Sequence, residues 1–172
     1  IAYIFAGGAS SAATARSVEF SGSSQALSVG SSDDFFFTGD WTAEGFFYCD
    51  AHSNYQTLFA QGSYADTGGT TFYFGSNGVL TWYAHGQTRI TGPVIKTNQW
   101  THIAVTRSGS TVTMYVDGKD VGSYTGVNNF GASDNKFWSV GCGNNGSNVD
   151  FFNGKISNIR VVKGTAVYTS SF

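Results

Sequence analysis

Hydrophobic and polar residues alternate in short runs along most of the chain. In "QWTHIAVTRSGSTVTMYVDGKDVG", residues 99–122, Ile103 and Val105 alternate with His102, Ala104 and Thr106, and Val112, Met114 and Val116 alternate with Thr113 and Tyr115. This period of two is that of strands. Matching the apolar sets face to face pairs Arg107 with Val112, Val105 with Met114 and Ile103 with Val116, because a one-residue slip would turn one set to the wrong side. The same register sets His102 near Asp117 on the opposite face. Asp117-Gly118 suits a two-residue turn in which both central residues take positive φ, so the segment predicts two successive hairpins. A structural role is expected for His102, since no activated nucleophile stands beside it.

Similar runs, punctuated by glycine, asparagine or serine, follow from Ser17 onward: "SVEF", "QALSV", "TAEGFFYC", "QTLFAQ", "TTFYFG", "VLTWYA", "QTRIT", "KFWSVG" and "FFNGKISNIRVV". Short strands at this spacing predict an all-β fold, a two-sheet antiparallel jelly-roll sandwich. In "GKISNIRVV", Ile156 and Ile159 differ in parity; a bulge at Ser157-Asn158 would reset the alternation. No internal repeat points to a propeller or solenoid.

The first residues depart from this pattern. "IAYIFAGGASSAATAR" puts Ile1, Tyr3, Ile4 and Phe5 ahead of a glycine, alanine and serine tether, so residues 1–16 read as an arm or linker and residues 17–172 as the folded domain. Exposed alone, the four large side chains would be an association hazard. They are expected to dock on a neighbouring subunit as an added strand; the alternatives are a strand of a preceding domain and a fold-back onto this sandwich.

Composition narrows the function. A length of 172 residues suffices for one domain burying about 70% of its unfolded surface. Twenty-three glycines against one proline, with 16% aromatic residues, favour strands and turns over helices. A net charge of −2 without a basic run excludes the electrostatic footprint of nucleic-acid binding. "IAYIFA" is far shorter than the ~20 residues of a membrane span, so no membrane insertion is expected. Cys49 and Cys142 are the only cysteines, leaving one disulfide or two thiols open.

Taken in order, "SVEFSGSSQALSV", "GDWTAEGFFY", "QTLFAQG", "NQWTHIAVTRSGSTVTMYVDGKDVG" and "FFNGKISNIRVVKGTAVYTSSF" resemble the concanavalin A-like lectin/glucanase superfamily, in its laminin G-like jelly-roll form. The closing "GKISNIRVVKGTAVYTSSF" is most similar to versions in structural and tail proteins of bacteriophages. The resemblance implies two stacked antiparallel sheets and, in many members, carbohydrate bound at loops or on a sheet face. It implies a non-catalytic virion surface module in a tail, fibre or capsid decoration, homo-oligomeric, with other virion subunits and cell-surface glycans as partners. The alternative is a lectin-like carbohydrate-binding module of a secreted, extracellular protein, and after it a glycoside hydrolase.

The residues themselves argue against hydrolysis, whose retaining form needs two carboxyl groups about 5–5.5 Å apart. Glu19 and Glu44, the only glutamates, lie on separate predicted strands, outside the Glu-x-Asp-x-x-Glu run of the glucanase branch. No cofactor is expected. Calcium, which some relatives bind through oxygen ligands, would fall to Asp33, Asp34 or Asp150, but Ser157 and Asn158 stand where many relatives carry paired aspartates. Asp33-Asp34 reads more simply as a solvated turn. Sugars pack on aromatic rings while amides and carboxylates bond their hydroxyls; this makes Tyr64 and Asp66, in one loop, and Asn144, Asn145, Asn148 and Asp150, in "GCGNNGSNVD", the candidate carbohydrate-binding residues. Turn chemistry competes for the asparagines. Trp82, Trp100 and Trp138 are assigned to the core.

Overall fold

A computed structural model describes residues 17–64, 68–126, 136–144 and 146–172, and the backbone of residues 2–5. The alternating runs become strands: β1 (Ala2–Phe5), β2 (Val18–Ser21), β3 (Leu27–Val29), β4 (Trp41–Cys49), β5 (Gln56–Gln61), β6 (Thr70–Phe74), β7 (Val79–Ala84) and β8 (Gln87–Val94). They continue as β9 (Trp100–Ser108), β10 (Thr111–Val116), β11 (Lys119–Thr125), β12 (Trp138–Val140), β13 (Gly143–Asn144), β14 (Asn148–Val149) and β15 (Asn153–Lys163). One sheet has the order β1-β15-β4-β9-β10-β11, with β2 also on β15; a second has the order β3-β12-β5-β6-β7-β8. The pairing is antiparallel in both, the two-layer sandwich expected.

Inward parity decides what the layers share. Trp41, Phe47, Ile103, Val105 and Met114 of the first sheet and Phe59, Phe72, Leu80 and Trp82 of the second belong to one buried cluster. The β9–β10 register pairs Arg107 with Val112, Val105 with Met114 and Ile103 with Val116, as the apolar pattern requires. Asp117 and Gly118 both take positive φ, 48° and 76°. The bulge is present as well: β15 slips against β4 between Ser157 and Arg160, Asn158 adopts φ 52°, and Ile156 and Ile159 are both buried. Cys49 and Cys142 are buried free thiols, and burial pushes the Cys49 thiol up to about 11.

Two features of the first sheet escape the alternation rule. β1, expected on a neighbouring subunit, lies along β15 of its own chain, with Ala2 opposite Val162 and Phe5 opposite Ile159. β2 continues the same edge, from Val18 opposite Ile156 to Ser21 opposite Asn153. The two are collinear halves of one interrupted edge strand. β15 offers unpaired backbone groups along that edge, and the nearest strand able to fill them is in the same chain. Ile1 lies outside the described residues, and of Tyr3, Ile4 and Phe5 only the backbone is described.

The second feature is the C-terminal segment, residues 164–172, which crosses the outer face of this sheet as a strap. Thr42 Oγ1 donates to the Thr165 carbonyl at 3.0 Å and accepts from the Val167 N–H at 2.9 Å. Thr106 Oγ1 donates to the Tyr168 carbonyl at 3.0 Å, and the Phe172 N–H donates to the Gly118 carbonyl at 2.8 Å. Thr42 and Glu44 have outward parity on β4 yet are 0% and 5% exposed, because the strap covers them.

Candidate functional site

The outer face of the second sheet is built from hydroxyl-bearing residues. Phe72 and Phe74 on β6 and Leu80 and Trp82 on β7 point into the core, which turns Thr71, Tyr73, Thr81 and Tyr83 outward. Antiparallel register sets Thr71 opposite Tyr83 and Tyr73 opposite both Thr81 and Thr57. Two loop tyrosines complete the patch: Tyr55 meets Tyr73 edge-on with centroids 5.6 Å apart, and Tyr64 meets Tyr83 at 6.1 Å. The four tyrosines, Thr57, Thr71 and Asp150 line an open pocket of about 340 Å³.

Asp150 is placed by backbone geometry. It takes φ 54°, and its carbonyl accepts the Thr57 N–H at 2.8 Å. Its carboxylate Oδ2 accepts from the Tyr64 hydroxyl at 3.4 Å. Burial pushes its pKa above the usual aspartate value, only partly offset by Tyr64. Burial likewise raises the Tyr73 phenol, so the tyrosine stays a neutral donor and acceptor. A second pocket, about 420 Å³, adjoins the first through Tyr55 and Asp150 and is lined by Ser53, Asn54, Gln56 and Asn153 among others.

Of the carbohydrate-binding residues expected from sequence, Tyr64 and Asp150 come together. Asn144 and Asn148 do not join them in either pocket; they pair across the β13–β14 hairpin, and Asn144 Oδ1 accepts the Gly146 N–H at 3.0 Å. That is turn chemistry, although the Asn144 carbonyl also receives the Tyr64 N–H at 3.1 Å and so positions the tyrosine. Asp66 and Asn145 lie outside the described residues. Sequence reasoning missed Tyr55 and Tyr73. The shared parity of "TTFYF" and "VLTWYA" was the available signal, since it sends Tyr73 and Tyr83 to one face. Trp82 and Trp138 are core residues, at 1% and 3% exposure, but Trp100 is 43% exposed. It has outward parity at the start of β9, beyond the strap, and packs on Tyr48 at 5.6 Å.

The outer face of the first sheet holds a different constellation. Glu44 Oε1 accepts from Arg160, and Oε2 accepts from His102 Nε2 at 3.0 Å and from the Tyr168 hydroxyl at 2.7 Å. His102 also donates its backbone N–H to Asp117 at 2.9 Å, as the hairpin register predicted. Burial raises the Glu44 pKa, but the bonds from His102, Tyr168 and Arg160 outweigh it and leave the carboxyl below its ordinary value. Burial and the Glu44 carboxylate push the Tyr168 phenol upward. A depression of about 550 Å³ lies beside this group and also reaches Asp117 and Phe172. Glu44 is therefore not the isolated strand residue its sequence context suggests. Both its oxygens are occupied as acceptors and its proton is held off, the reverse of what a general acid requires.

The aspartates weighed for calcium are dispersed. Asp33 accepts from Lys136 Nζ at 2.6 Å, Asp34 sits in the 3-10 turn Asp33–Phe35, and Asp150 belongs to the tyrosine patch. Among the described residues no group of three histidine, cysteine, aspartate or glutamate side chains is placed to hold a metal ion. No helix among them is long and apolar enough to cross a membrane.

A family model described as concanavalin A-like lectin/glucanases superfamily matches residues 21–166. No curated protein matches the chain. Among solved structures, the carbohydrate-binding module CBM40 of the Ruminococcus gnavus IT-sialidase, bound to α2,3-sialyllactose, superposes with a TM-score of 0.66 at 9% identity, covering 85% of this chain and 92% of that one. Domain 4 of an extracellular arabinanase from Geobacillus stearothermophilus, in complex with arabinotriose, gives 0.67 at 16% identity over 96% and 84%. A heptameric SAP-like pentraxin from Limulus polyphemus gives 0.63 at 18% identity over 83% and 73%. At these identities the likeness is one of fold.

Proposed function

We propose, from the premise that this chain belongs to the concanavalin A-like lectin/glucanase superfamily, that it is a non-catalytic module that binds carbohydrate on the outer face of its second sheet. The observation carrying this reading is the pocket in which Tyr55, Tyr64, Tyr73 and Tyr83 surround Thr57, Thr71 and Asp150. Aromatic rings take the apolar faces of sugars, and a few convergent polar groups fix orientation. Asp150 supplies an acceptor for sugar hydroxyls, and the tyrosine hydroxyls supply both donors and acceptors. Solved relatives in complex with glycans support the reading by analogy of fold.

The same proposal sets the module on an exterior surface, that of a virion, where it would be displayed in several copies with other subunits. The support is the closing "GKISNIRVVKGTAVYTSSF" and its similarity to phage structural proteins; a secreted protein is the other exterior setting. Two experiments test the reading. On a glycan array, Tyr73→Ala or Tyr83→Ala should lose at least tenfold in binding with little change in Tm, and a wild-type protein that binds no glycan would overturn it. Mass spectrometry of purified particles should find the chain, and its absence from particles carrying its gene would remove the virion setting.

A further inference from the structure

We infer that the two pockets flanking Tyr55 and Asp150 are consecutive subsites for an uncharged oligosaccharide, so that the ligand is a neutral chain of sugars rather than a single ring or an acidic glycan. The inference rests on the carbohydrate reading above and adds the ligand's length and charge.

Length follows from the shared wall. Tyr55 and Asp150 line both pockets, so a ligand filling both must pass over the Tyr55 ring. Tyr55 is 55% exposed and its ring is braced edge-on by Tyr73 at a 62° interplanar angle, which leaves its open side for a sugar to pack on. The pockets also differ in chemistry. The first is walled by tyrosines and suits a ring packed against aromatic surface; the second offers Ser53, Asn54 and Asn153, which suit hydroxyls projecting from the next sugar, above the buried Gln56. Gln56 is held in place, donating Nε2 to the Ala51 carbonyl at 2.6 Å and accepting the Asn153 N–H at 2.9 Å. At about 340 and 420 Å³, each pocket lies at the small end of the ~300–1,000 Å³ range of ligand sites, and only together do they make an extended one.

Charge follows from what the walls contain. No lysine, arginine or histidine lines either pocket among the described residues, and residues 65–67 and 145, next in sequence to the site, contain none. A desolvated sugar carboxylate is held best by a cation such as arginine or lysine, and neither pocket offers one among its described lining. Here it would meet Asp150, a like charge in a partly desolvated setting.

The test is an array at neutral pH carrying mono- and trisaccharides from arabinan, xylan, glucan and galactan, with α2,3-sialyllactose and trigalacturonate as acidic probes. Each binder is then titrated by calorimetry. The expected result is at least tenfold tighter binding of a neutral trisaccharide than of its monosaccharide. Tyr55→Ala, checked for an unchanged Tm, should abolish that gain, so that the trisaccharide binds no more tightly than its monosaccharide. A monosaccharide binding as tightly as its trisaccharide, or an acidic probe binding most tightly of all, would overturn the inference and leave the carbohydrate reading standing. Binding to no probe would remove both.

Discussion

The Tyr168 hydroxyl reaches Glu44 Oε2 at 2.7 Å across 124 positions of sequence, so the C-terminal strap is latched to a strand near the start of the domain. Tyr168→Phe deletes the latch while keeping the ring on Phe172, whose plane it stacks on at 3.7 Å. Glu44 retains His102 and Arg160, so the cost should be about 1–2 kcal/mol, read as a lower urea midpoint with an unchanged slope.

His102→Ala removes a bond to a carboxylate that is only 6% exposed. It should lower stability by about 1–3 kcal/mol. Glycan affinity should not change, since the tyrosine pocket lies on the other sheet. Normal stability with weakened binding would move the carbohydrate site to the Glu44 face.

The pH dependence of this latch has a definite sign. A carboxyl whose folded pKa lies below its unfolded one contributes stability that is full above the unfolded value and is lost as pH falls through the folded value. The groups facing Glu44 are His102, Tyr168 and Arg160, with Asp117 in the same depression. The stability gap between wild type and Glu44→Gln should therefore be widest near neutrality and shrink below the ordinary glutamate range. Asp150, shifted the opposite way, is common to both proteins and cancels in the difference. Neither protein should release reducing sugar from polysaccharides; release by the wild type that is lost in Glu44→Gln would make the latch a catalytic group.

Asn158 holds the bulge of β15 at φ 52°, a left-handed conformation that asparagine and glycine adopt readily and β-branched residues do not. Asn158→Val should cost about 1–2 kcal/mol, whereas Asn158→Gly should be tolerated. Thermal melts of the pair separate backbone strain from loss of the side chain.

Deleting residues 1–16 uncovers the β15 edge from Ile159 to Val162, while β2 still covers Asn153 to Ile156. The truncated protein should fold but self-associate through the bared edge, seen as concentration-dependent mass in light scattering. If the arm instead serves as the intersubunit anchor expected from its sequence, truncation will abolish association rather than promote it.

The hairpin register, the Asp117-Gly118 turn and the bulge between Ile156 and Ile159 were all legible in sequence because each follows from which face a neighbouring side chain must take. The strap was not. "GTAVYTSSF" has no period, and its partners Thr42, Glu44 and Thr106 come from strands far upstream, so only the assembled sheet shows that their outward face is covered. The tyrosine patch was half visible for a related reason. Tyr64 and Asp150 were recognisable as polar and aromatic loop residues, but Tyr55 and Tyr73 joined them only once β5, β6 and β7 had taken register.

β15 lies between β1 and β2 on one side and β4 on the other, so a nascent chain emerging from the ribosome completes almost the whole sandwich before its first sheet can close. Until Asn153–Lys163 is made, β4 has an open edge, and β1 and β2 have no partner. Such dependence on distant pairings slows folding, and unpaired edges are where partly made β-proteins associate. Fragments ending before Asn153 should accordingly be recovered as aggregates, and the yield of soluble protein should depend on how fast the last strand is delivered rather than on the stability of the finished fold.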